Sequence, residues 1–446
     1  MRHVGVIGGG MLGLTLALRL RDAGTRVTVI EEQATPGGLA APRPIGGYTW
    51  DRFYHVVLLS DLQLRALFAE LGLEDQVRWG TTRTGFLVDG TLHSLSSTVD
   101  FVRFPPLGPW DKLRLGLTIL HAAHVADPLR LEEERAVDWL RRWSGRRTTE
   151  RLWLPLLRSK LGEHHREASA AFIQAIIARM YQARRSGLKR ELFGYVDGGY
   201  AKVLARLRAH LEARGVELRC GAPAMAVLDD GDTASVTLRD GTRHQFDAVV
   251  LTVPCPRVAR LCPQLDDAER ERLERVVYQG VACVSLLLRR PLAGYYVTNI
   301  TDPDLPFTAI IEMTALVDRA TFGGHTLVYL PRYLAVNDER WARSDAELTT
   351  EFLAGLRRVY PDLRDEDVVA TQMARAREVL AVATLRYSAD ALPPLRTSQR
   401  RLFVANSAQI VNGTLNVNET VTLAERQAEA LLPFLRTLPA HVAIPA

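Results

Sequence analysis

Apolar residues change their spacing along this chain, and the changes mark its elements. His3-Val4-Gly5-Val6-Ile7 is a short apolar run, the pattern of a buried strand. From Leu14 to Ala23 the period lengthens to that of a helix. Leu14, Ala17, Leu18 and Leu20 can face a sheet, and Gly24 closes the element. Arg26 to Ile30 is a second strand, ending at Glu31. Between strand and helix stands Gly8-Gly9-Gly10-Met11-Leu12-Gly13, a GxGxxG. Gly8 permits a tight turn, Gly10 removes a Cβ where a pyrophosphate approaches, and Gly13 lets the helix lie close to the strand. The free N–H groups at the helix start, at Met11 and Leu12, then face that pyrophosphate. Glu31, eighteen residues past Gly13, is placed to accept hydrogen bonds from a ribose diol. A dinucleotide site is predicted.

The later pattern alternates between two materials. Asp61 to Leu71 reads as a helix, and Thr84–Val88 and Leu92–Leu95 as strands joined by an Asp89-Gly90 hairpin turn. From Thr98 to Ala183 the period is mainly helical, broken at Pro105-Pro106, Gly108-Pro109 and Gly145. Strand-and-helix alternation returns after Tyr195. A helix runs from Ala201 to Ala213, with strands at 215–218, 236–238 and 248–254. A last strand, Arg401–Asn406, precedes an Asn-rich turn and a helix from Val421 to about Leu435.

Composition narrows the class. At 446 residues the chain holds two or three domain-sized bodies. No apolar run of about eighteen residues without charge occurs, so no span of a bilayer is predicted. Met1-Arg2-His3 leads straight into the first strand, leaving no room for a secretory leader. The four cysteines form no CxxC, which argues against a dithiol or zinc site, and no metal is expected. Together these suggest a reduced, cytoplasmic setting. The net charge of +5 is spread out and lacks aromatic interleaving, so nucleic acid is not an expected partner.

Directly behind Glu31 comes Glu32-Gln33-Ala34-Thr35-Pro36-Gly37-Gly38-Leu39-Ala40. A second glycine pair after the acidic strand end resembles the flavoprotein extension of the fingerprint. It is seen in the amine oxidase, phytoene desaturase and protoporphyrinogen oxidase superfamily, here in its protoporphyrinogen oxidase-like branch. The resemblance runs the length of the chain and implies FAD. It implies that Glu32, Gly37, Gly38 and Leu39 lie along the cofactor, although Gln33 stands where many members carry Arg. It also implies that a strand near Ala224 to Val227 passes the adenine. In the superfamily the last strand usually ends in Gly-Asp. Ala405-Asn406 replaces that pair here, and Asn406 is the implied partner of a ribityl hydroxyl. Asn416-Val417-Asn418, at a helix N-terminus, is implied to offer donors to the flavin pyrimidine.

The implied fold is α/β. A Rossmann-like FAD-binding domain of the glutathione-reductase type is assembled from residues 1–75, 190–265 and 395–446. A mixed α+β substrate-binding domain takes 76–189 and 266–394, with 98–185 mainly helical.

Chemistry is less legible than the cofactor. Dehydrogenation asks for a C–H presented to flavin N5, and for a base only where a proton must leave. His55 is a candidate proton relay or flavin-facing donor, or else a structural histidine. Lys160 is a candidate partner for a phosphate or for a water near N5, or else a surface lysine. Glu312 and Arg332, on two apolar strands, either bind a polar head group or pair with each other. Trp110 and the apolar, basic-ended stretch 112–120 suggest peripheral membrane contact, or a core helix. Three readings follow from the resemblance. One is an FAD-dependent oxidoreductase acting on a lipophilic or cyclic small molecule. The second is a redox-neutral enzyme of the UDP-galactopyranose mutase type. The third is a non-enzymatic prenyl-binding relative of the Rab GDP-dissociation inhibitor type.

Overall fold

His3–Ile7 becomes the middle strand of a five-stranded parallel sheet in a computed structural model of the chain. Residues 1–183, 192–411 and 414–438 are described. Asn412-Gly413 of the Asn-rich turn, residues 190–191 of the expected cofactor domain and the tail from 439 onward lie outside the described residues. The sheet order is Glu217–Arg219, Arg26–Ile30, His3–Ile7, Ala248–Leu251, Leu402–Val404. Its strands therefore come from three widely separated parts of the sequence, joined by the long crossover connections that parallel pairing demands.

One face of this sheet is covered by helices Met11–Asp22, Gly199–Ala213 and Val417–Thr437, packed around Val4, Leu14, Leu18, Leu207 and Leu431. The other face packs against a three-stranded antiparallel meander, 224–246, and helix Cys255–Leu261. The first helix starts at Met11, three residues before the predicted Leu14, because the glycine turn leads directly into it. The last helix likewise starts at Val417, four residues early, where the Asn416 side chain accepts the Glu419 amide and caps it.

A second, seven-stranded mixed sheet runs in the order 368–381, 278–288, 326–335, 309–312, 297–300, 84–88, 91–94. Its hairpin turn carries Asp89 and Gly90 at φ 50° and 72°, the left-handed pair that a two-residue turn requires. One face of the sheet packs on helix Asp345–Val359. The other meets Ile45, Trp50, Phe53, Leu58 and Phe193 from two small sheets that follow the second glycine pair. The helices between 98 and 183 form a third body. It is cored by Trp139, Leu157, Leu161 and Ile173 and joined to the second sheet through Leu380 and Val382.

Candidate active site

The glycine turn is built by close approach of backbone to backbone. Gly8 sits at φ 110° and donates its amide to the Ile30 carbonyl at 2.9 Å. A Cβ on Gly13 would overlap the carbonyl oxygen of Gly8, so the helix can begin here only with glycine at that position. The second glycine pair folds onto the first. Gly37 donates to the Gly9 carbonyl at 2.7 Å, and a Cβ on Gly38 would lie 3.1 Å from the Gly10 Cα. No side chain caps the helix at Gly10, which leaves the N–H groups of its first turn for an anion. Glu31 is 7% exposed. Its carboxylate accepts the Gly9 amide at 2.6 Å and the Gln33 amide at 2.8 Å. A carboxylate has about four acceptor positions, so two remain for a ribose diol. These residues fit an FAD pyrophosphate and ribose on their own geometry.

Around this turn the structure refines the expectations. The Glu32 carboxylate forms a two-pronged pair with Arg257, which holds its pKa below the usual range. Arg257 comes from helix Cys255–Leu261 and brings a cation beside the position where Gln33 replaces the family's Arg. The segment leading to Ala224 does run beside the acid. Gly221 and Ala222 donate to the Gln33 and Glu31 carbonyls. Leu39 packs against the core beneath the second sheet and so links the turn to it.

The C-terminal asparagines differ from what was expected. Asn406 is fully buried, donates to the Val253 carbonyl at 3.0 Å and accepts the Ala408 amide at 3.1 Å. Its side chain holds the strand-to-helix turn rather than facing outward. Asn418 accepts the Leu64 amide and ties the last helix to helix Leu62–Glu70, while Asn416 is spent on its cap. What the helix presents beyond its N-terminus is backbone, at Val417 and Asn418.

Aromatic and polar side chains gather into a wall where the second sheet meets the small sheets and the helical body. Asp51 organises it. Its carboxylate accepts the Tyr200 amide at 2.7 Å, and its carbonyl accepts the Tyr329 hydroxyl at 2.7 Å. His55 lies against the Tyr200 ring (4.9 Å between centroids), with Nδ1 3.8 Å from Asp51. The Tyr54 and Tyr333 hydroxyls meet at 3.2 Å, and burial pushes both phenols up. The Lys160 ammonium stands 6.0 Å from the Tyr333 ring centre, so it is an interior lysine rather than a surface one. Burial, reinforced by the nearby Arg179 guanidinium, pushes its pKa down to about 8. Buried polar atoms without partners are rare in proteins, yet Trp50 Nε1, His55 Nδ1, Tyr200 Oη, Tyr296 Oη and both amide atoms of Gln279 have none here.

Glu312 and Arg332 are not part of this wall. Strand register sets Glu312 opposite Val328, four residues from Arg332, so no Glu312–Arg332 pair forms. Alternation turns both toward the face under helix Asp345–Val359, away from Tyr329 and Tyr333. Glu312 instead accepts the Leu292 and Gly294 amides, and Arg332 donates to the Leu305 carbonyl. Arg179 and Gln279 are additions that the sequence could have flagged. Arg179 is the one charge in helix Ala170–Ala183, and Gln279 is the one amide side chain in strand Tyr278–Leu288.

Known proteins agree with this geometry. Residues 12–432 match the family model described as flavin containing amine oxidoreductase. A coproporphyrinogen III oxidase of Mycobacterium leprae is 29% identical over 309 residues, 64% of this chain and 67% of its own length. A 15-cis-phytoene desaturase of Solanum lycopersicum is 20% identical over 89% of this chain and 71% of its own. Among solved structures, putrescine oxidase bound to putrescine superposes with a TM-score of 0.73 at 19% identity, covering 97% of this chain and 99% of that one. Reduced UDP-galactopyranose mutase gives 0.74 at 16%, covering 97% and 96%. Those two share the fold. With the family model spanning nearly the whole chain over an FAD-shaped pair of glycine turns, this protein belongs to the flavin-containing amine oxidoreductase family and is an FAD-dependent oxidoreductase.

Proposed function

We propose that the enzyme dehydrogenates a lipophilic or cyclic small molecule held in the recess between the second sheet and the helical body. The observation that carries this is the wall itself, where aromatic rings alternate with polar atoms that have no protein partner. FAD, when bound along the glycine turns, supplies the hydride acceptor. Met11, Leu12, Gly13 and Val417 offer it backbone donors, Glu31 an acceptor, and Gly8, Gly10, Gly37 and Gly38 room. Leu39 and Tyr54 would carry the wall from the cofactor to the substrate. His55, oriented by Tyr200 and Asp51, and Lys160 are the groups placed to hold or pass a proton there. The relatives named for coproporphyrinogen and phytoene favour a ring or polyene substrate. In the same proposal, residues 1–75, 190–265 and 395–446 form the cofactor body, and 76–189 with 266–394 the substrate body. Segments 42–58 and 192–196 line the boundary, since their side chains join the second core.

Peripheral membrane contact belongs to this reading. Helix Pro109–Ala123 leaves Trp110, Leu113, Leu117 and Leu120 exposed by 69%, 53%, 54% and 48%, at the spacing of one helix face. Val99 and Val102 extend the patch, with Arg103 and Lys112 beside it. This is the composition of an interfacial helix. Among the described residues no helix is long and apolar enough to cross a membrane.

The test is direct. Protein purified with FAD and mixed anaerobically with coproporphyrinogen or phytoene should lose its flavin absorbance. Bleaching by neither, with UDP-galactofuranose converted by the reduced protein instead, would move the enzyme to the mutase reading.

A further inference from the structure

The wall carries an unbalanced positive charge. Lys160, at the end of helix Leu154–Leu161, has no hydrogen-bond or ion-pair partner among the described residues; its ammonium stands over the Tyr333 ring. Arg179 spends Nη2 on Asp61 at 3.2 Å and leaves Nη1 buried without a partner. Asp61 is itself also held by the Leu58 amide, so it cannot neutralise both cations. Gln279 is fully buried with neither amide atom paired. It abuts the same helix end, since a Cβ on Gly162 would lie 3.4 Å from its Nε2.

An unpaired interior cation is costly, and an anionic ligand would offset that cost. Donors dominate this group: three N–H on Lys160, two on Arg179 Nη1 and two on Gln279, against one unpaired acceptor, the Gln279 Oε1. Such a set suits an oxygen anion, which accepts only. The cofactor's pyrophosphate is provided for elsewhere, at the glycine turns on the parallel sheet, whereas this cluster hangs from the helical body and the second sheet.

Resting on the flavoenzyme reading, we propose that Lys160, Arg179 and Gln279 form a subsite for a carboxylate or phosphate group of the substrate. The substrate is then an amphiphile, with an apolar body against the tyrosines and an anionic group at Lys160. The charge would fix which C–H faces the flavin, so Lys160 acts as a positioning residue.

The experiment uses the FAD-loaded protein with octanoate and inorganic phosphate as probes, read by flavin spectral shifts and by melting temperature. At least one probe should saturate; octanoate alone assigns a carboxylate, phosphate alone a phosphate. Lys160→Met should weaken that probe about tenfold or more, and Lys160→Arg should keep it within about threefold. Without probe, Lys160→Met should melt higher than the wild type, because an unpaired buried charge is gone. The proposal is overturned if neither probe saturates, if Lys160→Met binds as tightly as the wild type, or if it melts no higher. It is also overturned if the variant loses FAD while its probe affinity holds, since the cations would then serve the cofactor. Should the protein take up no flavin, the flavoenzyme reading fails by itself, and the melting shift on the colourless protein still decides the subsite.

Discussion

At the glycine turns the groups offered to a ligand are backbone amides and one braced carboxylate, Glu31, while along the wall they are side chains from distant segments. The turns are finished without a ligand. Glu31 already holds two amides, and the two glycine pairs lock each other in place. Along the wall, by contrast, Gln279, His55 and part of Arg179 are buried without partners, and the Lys160 ammonium stands beside the Tyr333 ring. Backbone recognition is fixed by local geometry and tolerates little change. Side-chain recognition is assembled from distant segments and can be retuned one residue at a time, which suits it to setting substrate choice.

The sharpest way to break the contrast is Gly13→Ala. Its Cβ collides with a carbonyl that cannot move without opening the turn. A loss of about 3 kcal/mol of stability and of most bound FAD is expected, read by denaturant melts and flavin absorbance per chain.

Next comes the pH dependence of Lys160. Its pKa of about 8 in the fold lies below the ordinary 10.5, so between those values the unfolded chain binds more protons and stability rises with pH. The wild type should gain about 2 kcal/mol on Lys160→Met between pH 8 and 10.5. Parallel curves would show that the ammonium is not desolvated.

Tyr54→Phe removes one hydroxyl of the 3.2 Å pair with Tyr333 and should cost about 1 kcal/mol in chemical denaturation, with FAD content unchanged. A drop in FAD would merge the two regions into one.

The smallest effect belongs to the parallel sheet. Burial, with help from Arg26, lowers His3 to about 4 from 6.5, so stability is complete above pH 6.5 and is lost as pH falls toward 4. Because the ring is partly exposed, the share removed by His3→Gln should be less than about 1 kcal/mol, seen as a flatter melting curve across that window.

The same contrast explains what could be read in the sequence. The strands at 3–7 and 26–30, the GxGxxG and the Asp89-Gly90 hairpin are local and legible in pattern alone, whereas the second glycine pair is legible through the family resemblance. Asp51, Tyr54, Lys160, Arg179, Gln279 and Tyr333 share no motif, because only the tertiary fold brings them to one wall. Glu312 and Arg332 show the limit plainly. Their strands were foreseeable, but register decides which residues meet, and it set Val328 across from Glu312. The asparagines were seen as polar residues near a helix start. Their first partners proved to be protein backbone, since a buried turn must satisfy itself before it can serve a ligand.

The order of the parallel sheet carries a consequence for biosynthesis. The glycine turns leave the ribosome first, but their edge strand, Leu402–Val404, and the covering helix Val417–Thr437 are made last. At about 5–20 residues per second, roughly 20–80 s separate the two. For that interval the nascent chain displays a half-built apolar sheet edge. The cofactor body is therefore complete only when the last fifty or so residues have been made, late in translation.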